Sequence, residues 1–310
     1  MKVSMLFLCV ALFACVWSAT GQQQIPGQIR ENEKLRREAE QREVNNRFRE
    51  MELLERRRRI LLTAKNNVPP PVRQFNITEE DKKYLESDAD LKAKHARFLK
   101  LSKTGLIKLA PDIGCNYSEL IVDAREKCLQ NSIPGGGAYY SFRRSKYVLP
   151  TIADLRFYEN RFSVAGRIAG GVMVALGDIP LEQLNSKSDG VKFLTDLVPA
   201  TIRSKANEQM TEFQNGLRKD NYIYTRILPL NNKTVYAMRI IAYQPDEFSA
   251  NLKSTKDLYD FIQLEDDKRS DIIMAFRIVE INNDGSIWIL WRELSRLDAP
   301  KLIFTEPKKK

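Results

Sequence analysis

A chain of 310 residues with 43% hydrophobic, 29% charged and 9% aromatic side chains is long enough for one sizeable domain or two small ones, and its mix is neither disordered nor fibrous. No apolar run reaches the ~18 residues of a membrane-spanning helix, which excludes a multi-pass helical membrane protein. The single histidine, His95, excludes histidine-cluster metal sites and argues against a histidine-based triad.

The N-terminus reads as an address. Lys2 is followed by the apolar stretch Met5 to Val16 and then by a Gln-rich segment, the form of a secretory signal over residues 1–21. Ala19-Thr20-Gly21 supplies small residues for cleavage, which makes Gln22 the expected mature start. A second reading takes Leu12-Phe13-Ala14-Cys15 as a lipoprotein box, with Cys15 lipidated as an anchor to the outer face of a membrane; the bulk of Phe13 argues against it. The expected localisation is secreted or periplasmic. In that oxidising setting Cys115 and Cys128 are the remaining pair and are expected to form a disulfide, worth about 3 kcal/mol on the chain-entropy model. Residues Ser118 to Leu129 also have helical character, so the helix must be short or bent for the two cysteines to meet.

The net charge of +10 lies mainly in appendages. Residues 22–65 hold 12 basic and 8 acidic side chains, Lys308 to Lys310 add three positive charges, and residues 66–307 carry only +2. That distribution argues against nucleic acid as a partner. Residues 22–68 read as a charged helical stalk: Gln28 to Ala64 contains neither Gly nor Pro and places Glu33–Arg37, Glu38–Arg42 and Glu52–Arg56 as acid-before-base pairs at i, i+4. Its seam of Val44, Phe48, Met51 and Leu62 is interrupted by Glu55 and Arg58, enough for weak self-association but not for a long coiled coil. The run Arg56 to Arg59 reads as a solvated helix face. Pro69-Pro70-Pro71 opens a stiff linker over residues 69–77, before a body at 78–304 and a basic tail at 305–310.

Within the body, Thr78 is placed to cap a short helix, and a second helical stretch covers Ala89 to Leu101 with His95 on a wet face. Tyr139 to Phe142, Ala153 to Tyr158 and Arg161 to Leu176 read as strands, with a hairpin tip at Glu159-Asn160 and a bend or bulge near Gly166, Gly170 and Gly171. Ile202, Ala206, Met210, Phe213 and Leu217 form the stripe of an amphipathic helix. Two hairpins are expected next: Tyr222 to Leu228 with Thr234 to Tyr243 around Asn231-Asn232, and Asp271 to Ile281 with Ser286 to Glu293 around Asn283-Asp284-Gly285. The expected fold is therefore α+β: an N-terminal charged helix, then a mixed body with antiparallel β-hairpins and a few amphipathic helices.

No motif in the body commits it to a reaction. Pro134-Gly135-Gly136-Gly137 lacks the Gly-Lys-Ser/Thr of a phosphate loop and reads as a flexible turn. Glu265-Asp266-Asp267 lacks calcium-loop spacing and reads as a solvated loop. Asn76, Asn116 and Asn232 head N-glycosylation sequons. The distinctive pattern is one arginine in each hairpin strand: Arg226, Arg239, Arg277 and Arg292. Strand alternation puts Arg226 with Arg239, and a two- or four-residue turn puts Arg277 with Arg292, whereas a three- or five-residue loop would separate the second pair. The opposite face, carrying Ile223, Ile227, Met238, Met274, Phe276 and Trp291, is expected to be core. Guanidinium groups in such surroundings need carboxylates, such as Asp154 or Glu182 from a covering layer, or an anionic ligand.

The sequence thus points to an exported cell-envelope or extracellular protein, a non-catalytic binding or structural module whose partner is another protein or an anionic envelope ligand, with no cofactor or metal, no nucleic acid and no transmembrane span in the mature chain. The competing reading is a secreted hydrolase using Asp/Glu acid–base residues.

Overall fold

The computed structural model describes residues 38, 41–42, 77–87, 89–114, 132–245, 267 and 269–303. The signal, Cys15, most of the stalk, most of the linker, Cys115 with Cys128 and the segment between them, Asn76, Asn116, Glu265-Asp266 and the tail lie outside those residues. The chain divides into two units, Met1–Ile60 and Leu61–Lys310, and the fold below belongs to the second.

Three short helices come first or nearly so: α1 (Glu79–Leu85), α2 (Ala89–Lys94) and α3 (Ala96–Leu99). Thr78 caps α1 as its sequence requires, its side chain accepting from the Asp81 N–H at 3.1 Å. Two longer-range helices, α4 (Val191–Asp196) and α5 (Arg203–Asn215), come later. The strands are β1 (Thr104–Leu109), β2 (Tyr139–Ser141), β3 (Lys146–Tyr147), β4 (Leu155–Tyr158), β5 (Arg161–Val164), β6 (Ala169–Gly177), β7 (Leu217–Lys219), β8 (Tyr222–Thr225), β9 (Ile227–Pro229), β10 (Val235–Ala242), β11 (Gln244–Pro245), β12 (Ser270–Ile281), β13 (Ile287–Asp298) and β14 (Lys301–Leu302). They form a seven-stranded sheet ordered β1-β13-β12-β10-β6-β8-β7 and a five-stranded sheet ordered β3-β2-β4-β5-β9, both antiparallel, with β11 and β14 as a small parallel pair. The fold is α+β.

Both faces of the large sheet are buried. Met238, Ile240, Met274, Phe276, Ile278 and Ile289 meet Leu155, Phe157, Phe162 and Val164 of the small sheet, so this face is the inside of a β-sandwich. On the other face Val172, Val174, Ala237 and Ala275 lie under Val191 and Leu194 of α4 and Met210 and Phe213 of α5. The close approach of α5 depends on Gly170, where a Cβ would sit 2.8 Å from Met210 Sδ. Between β5 and β6 the chain passes from one sheet to the other through Gly166 and Ile168, both at positive φ. The Glu159-Asn160 tip also takes positive φ at both residues (46° and 56°), the backbone of a tight hairpin turn.

The first expected hairpin does not form. β10 pairs with β6 and β12, whereas β8 pairs with β6 and β7, and β9 belongs to the small sheet. The all-buried run Val235–Ala242 suits a central strand with neighbours on both sides, and β6, arriving earlier in the chain, occupies the place next to it. The chain changes sheets at Arg226, so Ile223 and Ile227 are exposed rather than in the core.

The second hairpin forms with a different route to the expected parity. Ile281 pairs with Ile287, and the Asn282 N–H donates to the Ser286 carbonyl at 2.8 Å, leaving an odd-numbered tip of Asn283, Asp284 and Gly285. That tip alone would put Arg277 and Arg292 on opposite faces. A bulge at Val279 absorbs one residue, so Arg277 pairs with Leu290 and Arg292 with Ala275, and both arginines face the helical layer.

Candidate functional site

The arginines do not share one environment. Arg239, in the middle of β10, is sealed: its side chain and that of Asp271 are each 3% exposed. Nε and Nη2 donate to the two carboxylate oxygens of Asp271 at 2.8 and 2.6 Å, and Nη1 reaches the carbonyls of Leu194 (2.6 Å) and Leu197 at the end of α4. The guanidinium therefore satisfies a buried acid and caps a helix C-terminus at once. Its partner comes from the neighbouring strand and not from the covering layer.

Asp154 serves a different arginine. It accepts from Arg143 Nε (2.6 Å), the Arg143 N–H and Ser141 Oγ (3.0 Å each), while Arg143 Nη1 donates to Asp267 at 2.6 Å. Burial works against the charge on Arg143, but Asp154 and Asp267 outweigh it and hold its pKa up. Asp267 is consequently buried rather than solvated, and Arg269 beside it donates to the Tyr243, Arg167 and Ile168 carbonyls. These contacts are structural. So is the Pro134–Gly137 turn: Gly135 to Gly137 are buried, and a Cβ on Gly135 would come 2.9 Å from the Val148 carbonyl, which leaves no open loop for an anion.

Arg226 sits where the chain crosses between sheets. Its backbone is used, with its N–H donating to the Phe213 carbonyl and its carbonyl accepting from Val164. Its Nε is buried without a hydrogen-bond partner, and burial lowers its pKa. It lies between β8 and β9 and belongs to no strand of the large sheet.

Arg277 and Arg292 open into two adjoining cavities. The first, about 580 Å³, is lined by Lys94, His95, Glu182, Asn232 and the Arg277–Ile281 segment with Leu290. The second, about 500 Å³, is lined by Lys94, His95, Arg97, Phe98, Leu101, Glu182 and Arg292. Lys94, His95 and Glu182 belong to both. Four cations thus face two carboxylates, Glu182 and Glu280. Among the described residues little of this positive charge is spent: Arg277 meets Asp178 Oδ1 at 3.8 Å, with that aspartate 74% exposed, and Arg292 Nη1 donates to the Glu182 carbonyl at 2.8 Å. Among the described residues Lys94 and Arg97 have no ion-pair partner. The two arginines are diagonal neighbours on adjacent strands, which places their Cα atoms roughly 7–8 Å apart on a rigid platform.

His95 is not on a wet face. The helix expected over Ala89 to Leu101 breaks at this residue (φ −108°, ψ 11°) into α2 and α3, and the ring is half-buried against the cleft with Nε2 sealed and unpartnered. Burial, then the charges of Lys94 and Arg277, lower its pKa from the ordinary 6.5, with Glu182 opposing them. The cleft therefore presents guanidinium and ammonium donors around an imidazole that its surroundings make harder to protonate, an arrangement able to take the oxygens of a carboxylate, phosphate or sulfate.

Among the described residues no helix is long and apolar enough to cross a membrane, and no three His, Cys, Asp or Glu side chains cluster as metal ligands. Comparison of the chain with protein-family models, curated proteins and solved structures finds no match. Function has to be argued from the chemistry of the cleft.

Proposed function

We propose that the body is a non-catalytic binding module for a small anionic ligand, held in the cleft at His95, and that it works outside the cytoplasm after export. The signal-like residues 1–21 and the stalk support the location. One observation carries the ligand class: Arg277 and Arg292 project from one face of a rigid sheet into cavities of ligand size with most of their donors unused. A structural role alone would have paired these groups as fully as Arg239 is paired.

The test is equilibrium binding of sulfate, phosphate and simple carboxylates to the full chain and to Arg277→Met/Arg292→Met, with melting temperatures measured on the same samples. The expected result is an unchanged melting temperature and loss of anion binding in the variant. Unchanged affinity overturns the reading. The hydrolase alternative has Glu182 and Glu280 as carboxylates in the larger cavity; turnover of a glycoside or ester panel that disappears in Glu182→Gln or Glu280→Gln would replace the binding-module reading.

A further inference from the structure

We infer that His95 is a ligand contact that takes up a proton when the anion binds, so that the cleft holds its anion more tightly as the pH falls. The inference rests on the cleft being an anion site and adds a specific residue and a direction of regulation to it.

The geometry supplies three reasons. His95 lies on the wall common to both cavities, so a ligand in either one passes it. Its Nε2 is shielded from solvent and has no hydrogen-bond partner among the described residues, so neither water nor a protein acceptor stabilises a proton there. The charged groups around it have a definite sign. Lys94 and Arg97 come from its own helices, Arg277 and Glu280 from β12, Arg292 from β13 and Glu182 from the turn at Leu181–Gln183, while Asn232 adds a neutral amide. Without an anion, the loss of hydration first, and then the charges of Lys94 and Arg277, oppose a proton on the imidazole, with Glu182 favouring it.

An oxyanion docked between Arg277 and Arg292 reverses that local field. It screens the cations and offers an acceptor to an imidazolium N–H. The affinity of His95 for its proton then rises in the complex, and linkage requires the affinity for the anion to rise with protonation by the same factor. The dependence is confined to the interval between the empty-cleft and complexed pKa values of His95; above it the imidazole is neutral in both states. A permanently charged side chain here would add a fifth cation whether or not an anion is bound, whereas histidine can add one in response to the anion.

The composition makes the test clean, because His95 is the chain's only histidine and its ring protons give a single titrating set of NMR signals. Sulfate is the probe, since it stays doubly ionised over the range and any pH dependence belongs to the protein. The full chain is titrated from pH 8 to 5 with and without saturating sulfate, and sulfate affinity is measured at about pH 7.5 and 5.5. The expected results are a His95 midpoint raised by about one unit on binding and sulfate held several-fold more tightly at the lower pH, with about tenfold as the limit. In His95→Gln and His95→Asn, both checked by melting temperature, sulfate still binds but the pH dependence is gone; in Arg277→Met/Arg292→Met the His95 midpoint no longer responds to sulfate. A midpoint unmoved by bound sulfate, or a pH dependence that survives in both histidine variants, overturns the inference while leaving the anion site standing. Absence of sulfate binding at every pH removes the anion site, and the role of His95 falls with it.

Discussion

Arg239 and Arg277 are the same residue type on the same face of the same sheet, yet one is sealed and the other opens to a cavity. Arg239 lies under α4, where each guanidinium nitrogen finds a carboxylate or a helix-end carbonyl. Arg277 lies toward the end of the sheet, where the covering layer gives way to the cleft at His95 and its single ion pair is long and exposed. A buried arginine must be matched internally because desolvation would otherwise exceed any gain. An arginine at the edge of the cover keeps its water and its capacity for a ligand. The difference lies in what covers each residue, a property of the fold that the residue's own strand does not carry.

The largest expected effect breaks the sealed side. Arg239→Met leaves Asp271 charged and buried and the end of α4 without its donor, and should cost about 3–5 kcal/mol in denaturant unfolding; the double change Arg239→Met/Asp271→Leu should recover a good part of that loss. Arg143→Met leaves buried Asp154 with only Ser141 Oγ and a backbone N–H, and Asp267 with only the longer contacts to Arg144 and Arg269, and should cost about 3 kcal/mol. In contrast, Arg277→Met and Arg292→Met should each change stability by no more than about 0.5 kcal/mol. Arg226→Met removes a guanidinium whose Nε is buried without a partner and should be neutral or slightly stabilising in the same unfolding experiment. The smallest effect concerns pH. The unfolded imidazole of His95 protonates near 6.5 and the folded one only at lower pH, so below about pH 6.5 the unfolded chain binds more protons and stability declines as the pH falls. The decline between pH 7 and 5 should be shallower in His95→Gln, measured as the difference between the two unfolding curves.

Much of the architecture was legible in the sequence because it is local. The Thr78 cap, the Ala206-Met210-Phe213 stripe and the Glu159-Asn160 tip each depend on a few neighbouring residues. Strand pairing is not local, and there the reading failed: Tyr222–Leu228 and Thr234–Tyr243 look like a hairpin, but β6 pairs with β10 and the chain leaves for the small sheet at Arg226. The parity of Arg277 and Arg292 held through compensation, an odd-numbered loop offset by the bulge at Val279.

The candidate site was half visible. Arg277 and Arg292 stood out as charges in apolar runs, whereas Lys94, Arg97 and Glu182 carry no such signal and are assembled only by the fold. Asp271 could have been found: it shares the alternation of Ile273, Ala275 and Arg277 and therefore had to face the same layer as Arg239. His95 was misplaced because a continuous helix puts it in water, and the break between α2 and α3 turns its ring to the cleft instead.

The central claim is that an oxyanion binds between Arg277 and Arg292 beside His95, and a crystal soaked in selenate, a sulfate analogue with its own anomalous signal, tests it most directly. The account predicts an anomalous peak in the cleft beside His95 and within hydrogen-bonding distance of one or both guanidinium groups, absent from Arg277→Met/Arg292→Met crystals. Peaks confined to surface lysines, with the cleft empty at saturating selenate, would contradict it.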